Sequence, residues 1–306
     1  MKETILITGH NGSLAKEAKK LLATNYSIRT LTTKKHNVDN HKTFYWNIDK
    51  KYIDKKALEN CDHIVHLAGY SILKNWNNSN KKKMYDSRVK SAKLLFDTCS
   101  NYKINPKTFI CASAMGIYGL DSTGEKNEES NPGSDWVSKM AIDWEAAADE
   151  FKHINSRVVK MRISLLMSEN SGFLKYNLLS IKLGIAGIIG NKNNPINWIH
   201  INDAALFIKE SIEKNQYKGA YNLSVPNDYS QIEFIREIKK HVCRYAIIIN
   251  VPLWVIRTLI GDRSQIVNNQ MKLNVNKLKK TGFKWQYESP EKIFKKNYIN
   301  YFKNLQ

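Results

Sequence analysis

The sequence predicts an α/β protein built on a doubly wound parallel sheet, followed by a smaller C-terminal α/β part. Short apolar runs typical of buried strands alternate with amphipathic segments of helical period along the first half of the chain. A turn with two glycines joins the first strand to the first helix. Strands separated by helices pair in parallel through right-handed crossovers, so this alternation predicts a sheet with helices on both faces.

The elements of the first half follow one another closely. The first strand is the apolar run Thr4 to Thr8, and the helix after it, Ser13 to Ala23, carries its apolar residues on one side. Further strands are predicted at residues 27–32, 43–46, 62–67, 107–113 and 156–163, and further helices at residues 55–59, 81–99 and 136–151. The helix at residues 81–99 is the long one, with a single apolar face.

The rhythm changes after about residue 165, where segments become longer and alternate less regularly. Helices are predicted at residues 204–213, 231–242 and 252–260, strands at residues 220–223 and 246–251, and a helix end with a loop at residues 178–190. We therefore predict a first domain of residues 1–165, with residues 200–213 packing back on it. Residues 166–306 would form a C-terminal cap on the sheet.

Composition and cysteine spacing exclude several classes of protein. The 306 residues are 42% hydrophobic and 10% aromatic, which argues against intrinsic disorder. The N-terminal residues lack the apolar core of a signal peptide, and no run reaches the roughly 18 apolar residues that span a bilayer. Cys61, Cys99, Cys111 and Cys243 are far apart and lack metal-ligand spacing. We expect a cytoplasmic protein with reduced thiols and no metal.

The formal charge of +20 is compatible with a nucleic acid or a membrane surface as partner. Of the 48 basic residues, however, 8 are Arg, the better reader of phosphates and base edges. An excess of Lys accompanied by abundant Asn is more typical of a genome-wide compositional bias than of a binding stripe. We expect a small-molecule substrate, no nucleic acid and no membrane.

The segment after the first strand has the spacing of a dinucleotide-binding turn. It reads Gly9-His10-Asn11-Gly12-Ser13-Leu14-Ala15 and leads directly into a helix. Gly9 would permit the tight turn, Gly12 would let backbone amides approach a pyrophosphate, and Ala15 would let helix and strand pack closely. The alternative is two glycines that merely make a tight turn. The position after the first strand favours a dinucleotide.

The end of the second strand, which should contact the adenosine ribose, carries no carboxylate. The segment reads Thr30-Leu31-Thr32-Thr33-Lys34-Lys35, and the first acid after it is Asp39. Two hydroxyls and two ammonium groups suit a 2′-phosphate, whereas a carboxylate would suit a 2′-hydroxyl. The sequence therefore favours NADP(H), with NAD(H) as the alternative and Lys34 and Lys35 as ordinary solvated lysines in that case.

Several separated motifs together resemble the extended short-chain dehydrogenases/reductases. They are Thr8-Gly9-x-x-Gly12, Leu67-Ala68-Gly69, Ser113-Ala114 with Tyr118-Gly119, Trp198-Ile199-His200-Ile201-x-Asp203 and Gly219-x-x-Asn222. Further segments are similar to an atypical branch, the nucleoside-diphosphate-sugar epimerase-like proteins with a C-terminal domain of unknown function. These segments are Asn75-Trp76, Asp86-Ser87-Arg88-Val89, Asp143-Trp144-Glu145-Ala146-Ala147, Lys277-Leu278 and Gly282-Phe283. The resemblance spans nearly the whole chain.

The resemblance implies a Rossmann domain that holds NADP(H), and a C-terminal part that closes a cleft over the nicotinamide. Besides the turn and Thr32, Thr33 and Lys34, the implied cofactor-binding residues are Asn47, Leu67, Ala68, Gly69, Ala112 and Arg162. Arg88 would reach an anionic group or form a surface ion pair. A homodimer through the helices at residues 81–99 and 136–151 would follow the superfamily's habit.

The superfamily's acid/base pair, Tyr-x-x-x-Lys, is missing from the helix after the fifth strand, where the superfamily carries it. Counting back from Glu145, the Tyr position falls on Val137 or Trp136, and the Lys position on Ala141 or Met140. None of these side chains can transfer a proton at neutral pH. Lys139 comes one or two positions early, which turns it about 100 to 200 degrees around the helix axis.

Two other side chains are catalytic candidates by resemblance. Ser113 corresponds to the superfamily's catalytic Ser, and Tyr118 is normally part of a structural turn. His200 would fix the connection between the two halves, with donation to a substrate as the alternative. Arg162 would either hold the cleft together or meet a substrate phosphate. We expect an NADP(H)-dependent epimerase-like oxidoreductase with a small carbonyl or sugar-type substrate. The alternative is an NADP(H)-binding sensor or scaffold without turnover.

Overall fold

The computed structural model describes residues 2–39, 41–169, 171–226, 228–267 and 270–294. Its strands are β1 (Thr4–Thr8), β2 (Ser27–Thr32), β3 (Thr43–Asn47), β4 (Tyr52–Ile53), β5 (His63–His66), β6 (Thr108–Ala114), β7 (Thr123–Lys126), β8 (Arg157–Ile163), β9 (Leu165–Met167), β10 (Ile185–Ile189), β11 (Trp198–His200), β12 (Gly219–Leu223), β13 (Ile247–Val251) and β14 (Gln270–Leu273). Its α-helices are α1 (Ser13–Leu22), α2 (Asn78–Tyr85), α3 (Ser91–Asn101), α4 (Trp136–Asp149), α5 (Gly172–Lys182), α6 (Ile201–Glu213), α7 (Gln231–Val242), α8 (Leu253–Ile260) and α9 (Asn276–Lys280). The α/β fold class is confirmed.

The main sheet has eight strands in the order β12-β8-β6-β5-β1-β2-β3-β4. β1 lies between β5 and β2 and pairs in parallel with both, while β4 adds an antiparallel edge strand. All five residues of β1 are buried, which explains its continuous apolar sequence. The order of the strands reverses around β1, so the carboxyl ends of β1 and β5 meet at a topological switch point, where such sheets bind ligands.

The chain forms two compact units that interleave in sequence. Unit 1 comprises residues 1–117, 134–162 and 204–221, and contains most of the main sheet and helices α1 to α4. Unit 2 comprises residues 118–133, 163–203 and 222–306. In unit 2, three two-stranded parallel sheets are described, formed by β7 with β14, β9 with β11, and β10 with β13. Residues 295–306 of the predicted C-terminal part lie outside the described residues.

The long helix predicted at residues 81–99 is in fact interrupted. It consists of α2, a π-helical turn at Asp86–Lys90, and α3. A π-helical turn widens the helix by one residue, so an apolar stripe can continue across it. The buried residues Met84 and Val89 therefore continue into α3, and the sequence pattern alone does not reveal the interruption.

The interpretation of residues 178–190 as a helix end and a loop is wrong for its second half. Helix α5 ends at Lys182, Gly184 turns the chain at a φ of +89°, and residues 185–189 form strand β10. This strand exists because β13, about 60 residues later, supplies a parallel partner in which Gly187 faces Ile249. A glycine inside a short apolar run weakens the strand pattern when the partner is unknown.

Candidate functional site

The turn after β1 is built around a glycine that no other residue could replace without a clash. Gly9 has a φ of +69°, and a Cβ on it would lie 2.7 Å from the carbonyl oxygen of Leu67. The amide of Gly12 donates to the carbonyl of Gly9 at 2.8 Å, which closes the turn. Gly12 is then the N-cap of α1, although it offers no side chain to the first amides of the helix. The turn therefore presents main chain rather than side chains.

The start of α1 is electrostatically suited to an anion. Its first turn contains no acidic residue, and Lys19 and Lys20 occupy its last turn. The amides of a first helical turn have no partner inside the helix, and the helix dipole adds positive potential there. Leu14, Ala15 and Ala18 bury the opposite face against the sheet, so the direction of α1 is fixed. A phosphate group is the ligand class that this arrangement binds best.

Beneath the turn, the hydroxyl of Thr8 ties β1 to the end of β5. Its oxygen accepts hydrogen bonds from the amides of Leu67 and Ala68, both at 3.1 Å. It also lies 2.8 Å from Nδ1 of His66, which is fully buried. A hydroxyl has two acceptor sites and one hydrogen, so that hydrogen is donated to Nδ1. Nε2 of His66 then carries the ring hydrogen and donates to Ser91 Oγ at 3.0 Å.

This network keeps the imidazole of His66 neutral. Burial lowers its pKa from 6.5 to about 4, and a ring that accepts at Nδ1 has no room for a second proton. The site thus contains a histidine that is an anchor for the strand ends rather than an acid or base. The sequence analysis missed it, although polar residues that end two adjacent apolar strands, Thr8 and His66, are a signal that could have identified it.

The end of β2 carries the residues predicted to contact the adenosine ribose. Nδ1 of His10, in the turn, lies 3.0 Å from the carbonyl oxygen of Leu31, which places this side chain beside β2. Thr32 is buried, and its hydroxyl accepts from the amide of Lys34 at 3.1 Å. The side chains of Thr33 and Lys34 are exposed. The hydroxyl of Thr32 therefore fixes the backbone at the end of β2, and no residue there carries a carboxylate.

Other residues from the predicted cofactor set lie on neighbouring strands of unit 1. Asn47 ends β3, and its Oδ1 accepts from the amide of Lys50 at 2.9 Å, so it closes a turn. Leu67, Ala68 and Gly69 follow β5, as predicted. Ala112 is a buried residue of β6. The structure thus brings the Gly9 turn together with Leu67 and Ala68, while the contact of each residue with a cofactor stays a prediction.

Arg88 lies next to Gly69 and binds backbone carbonyls of its own unit, whereas the sequence favoured a surface ion pair. Its Nη1 donates to the carbonyls of Tyr70 at 2.9 Å and Met84 at 3.1 Å. Its Cζ lies 5.2 Å from the centre of the Trp144 ring. Among the described residues, no carboxylate lies within 4.0 Å of its guanidinium. The surface ion pair is therefore wrong for the described part of the chain, because the side chain folds inward over Trp144.

Ser113 belongs to a buried cluster of hydrogen bonds and charges. Its hydroxyl donates to Glu145 Oε1 at 2.8 Å, and Arg162 donates to both carboxylate oxygens of Glu145, at 2.9 and 3.0 Å. Lys160 Nζ lies 3.6 Å from the same carboxylate. Glu145 is 5% exposed and Arg162 is 9% exposed. The hydroxyl hydrogen of Ser113 is thus donated to the carboxylate of Glu145. In the sequence, Glu145 was used as part of a family motif and was assigned no role of its own.

Helix α4 carries the positions at which the superfamily's Tyr and Lys were expected. Val137, Met140 and Ala141, three of the four possible Tyr and Lys positions, are buried, whereas Lys139 is exposed. The helix begins at the N-cap Asp135, whose carboxylate accepts from the amides of Val137 and Ser138. No residue of this helix therefore takes over the phenol or the ammonium group at those positions.

Tyr118 and His200 belong to unit 2, and both are engaged in packing there. The Tyr118 hydroxyl donates to Oδ1 of Asn222 at 2.6 Å and is 3% exposed. Asn222 in turn donates to the carbonyls of Lys126 and Asn274, each at 3.0 Å. His200 is 2% exposed and stacks on Tyr287 with ring centres 3.7 Å apart. Both arrangements support a structural role, and catalysis by Tyr118 stays a prediction.

The described residues contain neither a metal-binding cluster nor a membrane-spanning helix. Within them, no group of three or more His, Cys, Asp or Glu side chains could hold a metal ion. None of the described helices has the length and apolar composition needed to cross a bilayer. The described chain therefore offers the Gly9 turn with the ends of β2 and β5 as its candidate site.

The chain is similar to several known proteins over nearly its whole length. An epimerase family protein of Staphylococcus haemolyticus is 30% identical over 287 residues, which cover 93% of this chain and 95% of that protein. The chloroplastic SDR39U1 homolog of Arabidopsis thaliana is 25% identical over 292 residues, covering 93% and 84%. The crystal structure of human epimerase family protein SDR39U1 (isoform 2) with NADPH has a TM-score of 0.82 at 24% identity, covering 96% and 98%.

The family assignment rests on the part of the chain that holds the candidate site. The model of the NAD dependent epimerase/dehydratase family matches residues 5–224, which include the Gly9 turn and the strand ends around it. This match and the Staphylococcus haemolyticus relative confirm the resemblance inferred from the separated motifs. The chain belongs to the NAD dependent epimerase/dehydratase family.

Proposed function

We propose that the protein is an NADP(H)-binding, epimerase-like oxidoreductase with a small carbonyl or sugar-type substrate. The observation that carries the proposal is the turn at Gly9, whose backbone leaves no room for a Cβ and leads into a helix start free of acidic residues. Such a turn fits a pyrophosphate on its main-chain amides. When bound, NADP(H) supplies hydride chemistry, while residues of this chain hold and orient the cofactor.

The residues present fit the central pyrophosphate of a dinucleotide and the part of the cofactor that would lie along the end of β5. The pyrophosphate would be held by the amides that follow Gly12 at the start of α1, where no side-chain cap competes. Leu67, Ala68 and Gly69 would line the cofactor at the end of β5, held in place by the Thr8 hydroxyl. Arg162 is engaged by Glu145, so any contact it makes with the cofactor would have to use its remaining surface.

The preference for NADP(H) rests on the end of β2. Thr32, Thr33 and Lys34 supply hydroxyls and a positive charge where a carboxylate would otherwise select the 2′-hydroxyl of NAD. Lys35 lies 5.5 Å from the centre of the Tyr45 ring, which directs its charge along the neighbouring strand. The human SDR39U1 structure contains NADPH, which supports the same choice here.

Binding titrations with the two reduced cofactors test the proposal. We expect NADPH to bind, detected by calorimetry or a rise in melting temperature, and to bind more tightly than NADH. Lys34→Glu should weaken NADPH binding about tenfold, because a hydrogen bond to a charged group contributes about 1.5–3 kcal/mol. Lys93→Glu, the same charge change on an exposed residue of α3, is the control. Absence of binding by both NADPH and NADH would overturn the proposal.

A second candidate function is a protein that binds NADP(H) without turnover, as a sensor of the NADP(H) ratio or as a scaffold. The observation that favours it is the commitment of the Ser113 hydrogen to Glu145, in a chain that also lacks the Tyr and Lys pair. A screen of carbonyl compounds with NADPH separates the two functions. Turnover that disappears in Ser113→Ala would exclude the silent protein, whereas no turnover by a protein that binds NADPH would support it.

Three further assignments are proposals that accompany this function. Residues 166–306 would supply the substrate-binding part, and the chain would form a homodimer. A cytoplasmic location fits the buried thiols Cys61, Cys99 and Cys111, which are free. Light scattering of the purified protein tests the dimer, since a monomer mass at micromolar concentration would exclude it.

A further inference from the structure

We propose that Arg88 and the backbone at Gly69 form a binding site for an anionic group, a carboxylate or a phosphate. The site itself rests on the geometry around Arg88. Its assignment to the substrate, rather than to the cofactor, rests on the proposed function. The ligand class follows from the chemistry of the guanidinium, which recognises carboxylates and phosphates through paired N–H donors.

The guanidinium is held by one of its three nitrogens. Nη1 donates to the carbonyl oxygens of Tyr70 and Met84, which fixes the plane of the group. Among the described residues, Nε and Nη2 of Arg88 have no hydrogen-bond partner. Nε and Nη2 together form one edge of the guanidinium, and this edge is the one that binds an oxyanion in a bidentate manner. The structural contacts thus leave the recognition edge available.

Gly69 lies over one face of the guanidinium. A Cβ built on Gly69 would lie 3.1 Å from Cζ, 3.2 Å from Nη2 and 3.5 Å from Nε of Arg88. Because Cζ is the nearest of these atoms, the backbone of Gly69 packs on the face of the group and does not cover the edge formed by Nε and Nη2. Gly69 follows Leu67 by two residues, and the carbonyl of Leu67 is the atom on which the Gly9 turn packs. The donors of Arg88 consequently lie at the same strand end as the proposed pyrophosphate turn.

Among the described residues, no acid pairs with Arg88 to compensate its charge. The nearest acid in sequence, Asp86, is engaged by Lys82 and Lys90, and Asp143 on α4 accepts from the hydroxyl of Tyr85. Burial lowers the pKa of Arg88 to about 10, so the group stays cationic at neutral pH. A partly buried cation without a counter-charge is costly unless an anion joins it.

The surroundings of Arg88 differ from those of an arginine with a purely structural role. Arg157, also in unit 1, uses both Nη1 and Nη2 on groups of the protein, and Arg162 uses Nε and Nη2 on the carboxylate of Glu145. Arg88 uses Nη1 alone and stacks its face on Trp144, so its orientation is fixed while two donors stay unused. The residue lies in a π-helical turn, a feature that is frequent at functional sites.

The test measures binding of inorganic phosphate, with chloride at equal ionic strength as the blank. Wild type saturated with NADPH should bind phosphate, detected by calorimetry and by a rise in melting temperature. Arg88→Gln should weaken phosphate binding at least tenfold, and Lys90→Gln, which removes a neighbouring exposed charge, should leave it within twofold. NADPH affinity should also stay within twofold in Arg88→Gln, which would assign the anion to the substrate.

The remaining outcomes decide the proposal as well. Competition of phosphate with NADPH, together with weaker NADPH binding by Arg88→Gln, would keep the site and assign its anion to the cofactor. Absence of phosphate binding by wild type, or unchanged phosphate and NADPH binding by Arg88→Gln, would overturn it. Wild type that binds phosphate through Arg88 but no NADPH would refute the proposed function alone.

A second variant covers the case in which Arg88→Gln does not fold. Gly69→Ala keeps the guanidinium but places a methyl group 3.1 Å from its Cζ, against its face, so the guanidinium must shift and its Nε and Nη2 donors move with it. We expect this variant to fold, as judged by circular dichroism, and to lose phosphate binding by at least fivefold. Phosphate binding by Gly69→Ala at the wild-type level would overturn the proposal.

Discussion

At the scale of single residues, the site depends on groups whose hydrogen-bonding capacity is fully used. Thr8 accepts twice and donates once, and His66 accepts at Nδ1 and donates at Nε2. His66, Ala68 and Ser91 are buried and Leu67 is half-buried, so water replaces a lost bond poorly, and a missing partner costs much of the desolvation of the group it leaves. A single hydroxyl thereby fixes the backbone on which the cofactor is proposed to lie.

Replacing Thr8 tests this network. Thr8→Val keeps the shape of the side chain but leaves two amides and Nδ1 of His66 without their partner, so the free energy of unfolding should fall by about 2–4 kcal/mol. Thr8→Ser keeps the hydroxyl and should lose about 1 kcal/mol, because it removes a buried methyl group. Urea unfolding measures both values, and a smaller loss for Val than for Ser would contradict the account.

The neutral state of His66 predicts a dependence of stability on pH. Burial lowers the pKa of His66 in the folded protein from 6.5 to about 4. Between these two pH values, His66 is protonated in the unfolded chain and neutral in the folded protein. The stabilisation is therefore complete above pH 6.5 and is lost as the pH falls toward 4, by a total of about 3 kcal/mol. His63, whose pKa burial also lowers, acts in the same direction.

The measurement compares unfolding free energies at pH 7 and pH 4.5 for wild type and His66→Asn. Asn presents an amide oxygen to the Thr8 hydroxyl and does not titrate, so the loss between the two pH values should be smaller in the variant by about 2–3 kcal/mol. An equal loss in both proteins would show that His66 is not the group responsible.

At the scale of elements, the turn between β1 and α1 requires a glycine at position 9 for two reasons: its positive φ and the close approach of Leu67. Gly9 and Gly124 both have a φ of +69°, yet they differ in surroundings. A Cβ on Gly9 would overlap the carbonyl of Leu67, whereas a Cβ on Gly124, in β7, meets nothing within 4 Å. The pair separates the cost of the left-handed conformation from the cost of close packing.

Two single variants, Gly9→Ala and Gly124→Ala, use the equal φ angles of the two glycines to measure the cost of close packing separately. Gly124→Ala should cost about 1–2 kcal/mol, the price of a left-handed conformation for an L-residue. Gly9→Ala should cost at least about 2 kcal/mol more and should abolish NADPH binding, since β1 and β5 must move apart at the turn. Melting temperatures and NADPH titrations measure the two effects. Equal destabilisation by the two variants would contradict the packing argument.

At the scale of the whole molecule, the charge of +20 is spread over surfaces that also carry acids. Lys107 contacts both Glu3 and Asp62, at 2.5 and 2.9 Å, and Lys214, Lys240 and Lys292 pair with acids one helical turn away. Such exposed pairs contribute little to stability, but they break up a continuous positive stripe. We propose that the functional part of the charge is local, at Lys34 and at Arg88, which has no carboxylate partner among the described residues.

A nucleic-acid titration tests this interpretation of the charge. At about 150 mM salt, duplex DNA should form no complex at protein concentrations below about 100 μM, since weak non-specific contacts lie in or above that range. A gel shift at a few micromolar protein, weakening steeply as salt rises, would contradict it and would reinstate a nucleic-acid partner.

The prediction from sequence was most complete where the pattern is local. Strands β1 and β2 and helix α7 have the predicted bounds, because each is determined by its own apolar residues and its flanking turns. Strand β10 was missed because it depends on pairing with β13, and the π-helical turn at Asp86–Lys90 was missed because it preserves the apolar stripe. Both depend on neighbours that are distant in the chain or on backbone geometry.

The sequence by itself determined the fold class, the family motifs, the Gly9 turn and the residue types at the positions counted back from Glu145, which are neither Tyr nor Lys. These are properties of short segments, and their spacing is readable from residue types. The tertiary structure alone decided the state of three polar groups: His66 as a neutral anchor, Ser113 as a donor to Glu145, and Arg88 as a cation without a carboxylate partner among the described residues. The physical reason is that the charge and the hydrogen of a buried group depend on its partners, and here several partners come from other strands and helices.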